Sequence, residues 1–194
     1  VNPFATRSNV PLMTFHPDWL RPAWRTPGVQ AVMTTRAGGV SLGPHASMNL
    51  RDGVGDDPVS VAQNQARLTA AIGASPVYLN QAHGCRVVRL TAADAGPNAT
   101  HHEADACITI DAGIACTVQV ADCLPVLFAA PGGVGAAHAG WRGLAAGVLE
   151  ATLDAVCTAA RCSPDQVEVW LGPCIGPARF EVGADVLLAF LGMS

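Results

Sequence analysis

The chain has 194 residues, half of them hydrophobic and 13% charged, with a formal net charge of −4 and a mean hydropathy of +0.31. That length suits a single domain with a substantial core, so one domain over residues 1–194 is expected. All eleven basic residues are Arg, which with the acidic balance leaves no basic face for a nucleic-acid backbone, and the apolar runs are broken by Gln119, Asp122 and Pro125, so none would span a bilayer.

Residues Val1 to Arg7 lack the basic patch, apolar segment and small-residue cleavage site of a secretory signal, so a cytoplasmic location is expected. Seven Cys without any C-x-x-C pair read as reduced thiols, not as a disulfide frame. The first part, with Pro3, Pro11, Pro17, Pro22 and Pro27 around Trp19 and Trp24, is too interrupted for a long element and reads as an arm over the core. Val29 to Thr35 is partly alternating and β-branched, which predicts a strand, and Arg36 to Leu50 is a Gly-containing loop. Asp57-Pro58 gives an N-cap followed by proline at the first helical position, and Val61, Ala62, Leu68, Ala71 and Ile72 keep helical spacing up to Gly73.

Short strands are expected next, at Val77 to Asn80, Arg86 to Thr91, Ala106 to Ile110, Ala115 to Val120, Val126 to Ala130 and Val134 to His138. Their close succession implies mostly antiparallel or mixed pairing. Leu144 to Ala160 predicts the best helix, Val167 to Leu171 a further strand, and Ala184 to Leu191 a short terminal helix. Strands bracketed by helices without regular βαβ alternation give an α+β class, mixed β-sheets flanked by helices. The dinucleotide fingerprint is absent near Arg36, and a chain without Lys has no phosphate-binding G-x-x-x-x-G-K-[ST] loop.

Three segments carry chemistry. Leu79-Asn80-Gln81-Ala82-His83-Gly84, Val120-Ala121-Asp122-Cys123-Leu124-Pro125 and Gly135 to Gly143 each place a ligating side chain near the end of an expected strand. In the third, Ala137-His138-Ala139-Gly140-Trp141-Arg142-Gly143, small residues leave clearance around an imidazole, an indole and a guanidinium. Two imidazoles and one thiolate, from His83, His138 and Cys123, form a three-ligand zinc set with one position open, as in catalytic sites. Asp122 beside the thiolate is a candidate to orient a His ligand or carry a proton. Against this, a lone His beside Gly is more often a hydrogen-bonded structural residue, and a lone Cys a small buried hydrophobe. His101-His102-Glu103 sits in a polar stretch with Gly96, Pro97 and Asn98 and reads as a solvated surface loop, while Cys85 is left outside the ligand set.

The segments Thr34-Thr35-Arg36-Ala37-Gly38-Gly39-Val40-Ser41, Ser47-Met48-Asn49-Leu50, Gly55-Asp56-Asp57-Pro58, the His83, Cys123 and His138 segments, Leu171-Gly172-Pro173 and Phe180-Glu181-Val182-Gly183 stand in unbroken order. In this the chain resembles the YfiH family, once labelled multicopper polyphenol oxidase or laccase-domain proteins and also described as purine nucleoside phosphorylases and peptidoglycan editing factors. The resemblance runs from about Thr34 to the last residue and implies a YfiH-like fold. It implies a zinc site made by His83, Cys123 and His138, with copper as the alternative metal, since these ligands suit both. It further implies phosphorolysis of purine nucleosides such as inosine and adenosine to base and ribose 1-phosphate, with methylthioadenosine phosphorolysis and adenosine deamination as related activities. Purine nucleosides and phosphate are then the partners, with no nucleic acid and no membrane. Arg36 matches a family Arg that faces the same pocket, and with Arg142 it is the candidate phosphate clamp. Trp141 is a candidate to stack on a base, and Asn80 and Gln81 to bind ribose hydroxyls; packing and turn-stabilising roles are the alternatives. Family members continue past the region ending at Leu191-Gly192-Met193-Ser194 with a further strand and an Arg- and Phe-rich segment, so the chain is expected to lack that C-terminal part.

Two other classes of function stay open on sequence. One is a Cys–His hydrolase in which Cys123 is the nucleophile and His138 or His83 its base, editing an amide in a peptidoglycan precursor. The other is a copper- or zinc-binding module, the copper form including a polyphenol oxidase.

Overall fold

The protein is described by a computed structural model covering residues 15–96, 99 and 101–191. The expected arm up to Thr14, the loop residues Pro97, Asn98 and Thr100, and the last three residues lie outside the described residues.

Helix α1 spans Pro58–Ile72. Its start and stop are written locally: Asp57 accepts from the backbone N–H groups of Val59 and Ser60, proline follows, and Gly73 closes the helix at φ +60° in the left-handed region. Val61, Asn64 and Leu68 point inward, and Leu68 packs with Trp19 and Met48. From Phe15 onward the arm therefore lies on the core as expected, its Trp19 indole N–H donating to the Ala37 carbonyl at 2.9 Å.

The strand expected at 29–35 is absent. That segment makes only an isolated antiparallel bridge, Leu20 to Met33. The facing stretch carries Pro22 and Pro27, which have no N–H to donate and cannot extend a ladder.

Among the described residues seven short strands follow: β1 (Ser75–Val77), β2 (Val87–Arg89), β3 (Ala106–Thr109), β4 (Ile114–Cys116), β5 (Leu124–Ala130), β6 (Gly133–Ala139) and β7 (Glu168–Leu171). β1 and β4 form a parallel pair, and the main sheet runs β2-β3-β6-β5-β7, parallel between β2 and β3 and antiparallel elsewhere. The architecture is α+β with mixed sheets, as the sequence predicts. β3 is buried on both faces: Ala106 and Ile108 belong to the cluster under the long helix, and Cys107 to the cluster on the opposite side with Val77, Leu79 and Leu90.

The helix expected at 144–160 is two, α2 (Trp141–Ala145) and α3 (Val148–Ala160), separated at Gly147, whose φ of +83° no helical residue adopts. The break turns α3 onto the sheet. Val148 and Val156 are fully buried there, each worth roughly 1.5–3 kcal/mol of apolar burial. Gly135 on β6 makes the close approach possible, because a Cβ there would stand 2.9 Å from Val156 Cγ2. Helix α4 (Ala184–Leu191) matches its predicted range and leaves Leu187, Leu188 and Leu191 exposed. Among the described residues no helix is long and apolar enough to cross a membrane.

Candidate metal centre

One end of the main sheet gathers the chemistry. The antiparallel register of β5 and β6 pairs Leu124 with Ala139 and Pro125 with His138, so Cys123, just before β5, faces Gly140, just after β6. β3 lies on the other side of β6 with Ala106 opposite Ala137, which brings Asp105 opposite His138; the His138 N–H donates to the Asp105 carbonyl at 2.7 Å. β2 in turn runs beside β3, and the connection that leads into β2 carries His83.

The side chains of His83, Cys123 and His138 converge, their ligand atoms all within 4.8 Å of one another. Around a tetrahedral zinc, bonds of about 2.0–2.3 Å put ligand atoms some 3–4 Å apart, so a small closure suffices to share one ion. The donor set of two imidazoles and one thiolate fits zinc and also suits copper. Burial is graded across the group, with His138 buried, Cys123 half-buried and His83 exposed, which leaves one side open to solvent. The imidazoles meet edge to face at 80°, their centroids 4.7 Å apart. Gly140 supplies clearance: a Cβ there would lie 3.1 Å from both Cys123 Sγ and His83 Cδ2. Gly143 serves backbone packing instead, since its Cβ would meet the Gly84 carbonyl at 2.9 Å.

A carboxylate that the sequence reading passed over organises the centre. Asp105 Oδ1 accepts from His138 Nδ1 at 2.8 Å and from the His83 N–H at 2.9 Å, while Oδ2 accepts from the Ala82 and Gly84 N–H groups at 3.1 and 2.7 Å. Burial pushes the Asp105 carboxyl up, but the bonds from His138, Gly84, His83 and Ala82 outweigh it and hold the group below its ordinary value. The available signal was one carboxylate at the edge of the apolar run Ala104 to Ile108. Asp122, the carboxylate singled out from sequence, is exposed; its backbone carbonyl takes the Ile175 N–H at 2.9 Å. Burial raises the Cys123 thiol above its ordinary value, with the charges of Asp122, Asp105 and Cys174 adding to it.

The other candidates are more dispersed. The Gln81 side-chain amide clamps the Gln119 backbone, donating to its carbonyl at 2.8 Å and accepting its N–H at 2.7 Å. Asn80 is exposed, its backbone bridged to Glu103. Arg36 is exposed and donates to the Pro44 carbonyl at 2.9 Å. The Arg142 guanidinium lies over the Trp141 ring, 4.1 Å from its centroid. His102 Nε2 is paired with Asp94 Oδ1 at 2.7 Å, away from the metal group, and Cys85 is exposed outside it.

The model of the family described as multi-copper polyphenol oxidoreductase laccase matches residues 30–193. A protein of Pseudomonas aeruginosa named purine nucleoside phosphorylase is 49% identical over 176 residues, 89% of this chain and 69% of the relative. The purine nucleoside phosphorylase YfiH of Escherichia coli is 48% identical over 177 residues, 89% of this chain and 70% of the relative. Among solved structures, a Neisseria meningitidis protein superposes with a TM-score of 0.80 at 43% identity, over 89% of this chain and 69% of that one. YlmD from Geobacillus stearothermophilus gives a TM-score of 0.81 at 35% identity, over 89% and 68%. With the family's motifs in register and its fold present, the chain belongs to the YfiH family, the family described as multi-copper polyphenol oxidoreductase laccase.

Proposed function

We propose that the protein is a zinc-dependent purine nucleoside phosphorylase. The observation that carries this reading is the convergence of His83, Cys123 and His138 in a chain whose relatives at 48–49% identity bear that name. A zinc ion held there would supply Lewis acidity at the open side of the centre. The remaining work falls to the chain's own groups. Phosphorolysis brings a phosphate oxygen to C1′ of the nucleoside as the bond from C1′ to the purine nitrogen breaks, giving free base and ribose 1-phosphate. Arg36 and Arg142 would hold the phosphate as a guanidinium clamp. Trp141, two residues beyond Ala139 at the end of β6, would stack on the purine. Asp122, exposed beside Cys123, would give a proton to the departing purine; in adenosine deamination, where water adds at C6 and ammonia leaves, the same carboxyl would carry the water's proton to the departing amino group.

The hydrolase reading loses support at the thiol. A nucleophilic cysteine is helped by a depressed pKa or by an adjacent base, whereas burial and then the charges of Asp122, Asp105 and Cys174 push Cys123 upward. A thiolate drawn out by a metal needs no such depression.

Inosine, adenosine and methylthioadenosine, each incubated with the zinc-loaded chain with and without phosphate, test the reading. Release of the free base that requires phosphate is expected. Base release at the same rate without phosphate, or none with any of the three, would overturn it.

A further inference from the structure

We infer that Asp105 is the positioning residue that aims both histidines of the centre at once. The inference rests on the metal reading above and deepens it. His138 belongs to the central strand β6, buried between β3 and β5. His83 belongs to the connection between β1 and β2, past the bridge of Asn80 to Glu103, and its backbone stands at φ +61°, a left-handed conformation uncommon for a residue with a side chain. Asp105 supports that backbone from outside the connection: three successive N–H groups, from Ala82, His83 and Gly84, converge on its carboxylate and form an anion-binding nest. The fourth bond, from His138 Nδ1, requires that nitrogen to carry the proton, which leaves Nε2 bare for a metal.

Asp105 and His138 keep 1% and 4% of their side-chain exposure, so water does not compete for these bonds. The charge of Asp105 therefore has a fixed set of partners, and each is either a histidine of the centre or the backbone beside one. A single carboxylate thus couples the placement of a ligand on a loop to the tautomer of a ligand on a strand. An amide cannot replace it. Asn at this position offers one acceptor oxygen, so its NH2 group would face either the Ala82 and Gly84 N–H groups or the His83 N–H and His138 Nδ1.

The test is the zinc affinity of Asp105→Asn against wild type, by competition with a chromophoric chelator, together with the visible spectrum of the cobalt-substituted proteins. Zinc binding roughly 10–100-fold weaker and altered cobalt bands are expected in the variant. A folded Asp105→Asn with wild-type affinity and wild-type bands would overturn the proposal. Should the variant not fold, nitrogen NMR of metal-free wild type at about pH 8 decides, with the His138 proton expected on Nδ1 and a proton on Nε2 alone overturning the proposal. A wild type that binds no metal refutes the metal reading itself, and this inference with it, whereas equal binding by both proteins refutes Asp105 alone.

Discussion

Cys123 Sγ stands 3.1 Å from the point a Cβ on Gly140 would occupy, and His83 Cδ2 stands equally close to that point. A methyl group there would wedge between two ligands held by different elements. Gly140→Ala is therefore expected to weaken metal binding about 10-fold or more, since ordinary contact needs a few tenths of an ångström more at each side. Chelator competition measures this, and unchanged affinity would show that the two ligands can part without loss.

The two histidines should separate in their effect on stability. His83 is exposed, and its Ala variant should lose the metal while the metal-free chain unfolds as wild type does. His138 is buried, and its Ala variant should lose the metal and also about 1–3 kcal/mol of metal-free stability, because Asp105 loses a bond where water cannot replace it. Denaturant unfolding of both metal-free variants gives the comparison, and equal stabilities would contradict it.

Asn64 is expected to hold the loop that carries Arg36. Fully buried on α1, it accepts the Val40 N–H at 2.9 Å and donates to Ser41 Oγ, the Ser47 carbonyl and the Asn49 carbonyl at 2.9, 3.1 and 2.9 Å. Asn64→Ala leaves several of these groups unpaired, at a cost of about 2–3 kcal/mol. Amide exchange should quicken at Val40, whose N–H then has no acceptor, and unchanged protection there would refute the role.

Glu168 should tie the arm to β7 in a pH-dependent way. Its carboxylate accepts from the Thr26 hydroxyl and N–H, both at 2.6 Å, and from the Arg25 N–H at 3.0 Å, and the Thr26 hydroxyl leads the causes that hold its pKa at about 2 against an ordinary 4.5. Because the folded value is the lower one, the contribution is complete above pH 4.5 and fades as pH falls toward 2. Glu168→Gln should lose that part of the acid dependence, so its unfolding midpoint should change less than that of wild type between those limits. Parallel curves would contradict the assignment.

What the sequence made legible follows from how local each signal is. The bounds of α1 are set by Asp57, Pro58 and Gly73, all within the segment itself. The three ligands were legible chiefly through the motifs shared with the YfiH family; Cys123 and His138 do lie at strand ends, whereas His83, expected near one, lies within the connection between β1 and β2. The break at Gly147 was local too, but it hid inside a continuous apolar pattern from Leu144 to Ala160, where the period outweighs one glycine. Asp105 was not legible by local means. Its role exists only because β2 pairs parallel to β3 and β6 pairs antiparallel on the other side, and neither pairing can be read from the run Ala104 to Ile108. Likewise Val29 to Thr35 has strand chemistry, but its partner arm carries the prolines that refuse a ladder.

The central claim is that phosphorolysis depends on one metal ion held by His83, Cys123 and His138. Zinc titrated into the metal-free chain, with inosine and phosphate present, should restore hypoxanthine release in proportion to bound zinc, reaching a plateau at one ion per chain, while Cys123→Ser stays near zero. Phosphate-dependent release at the full rate from the metal-free chain, or from the Cys123→Ser variant, would contradict it.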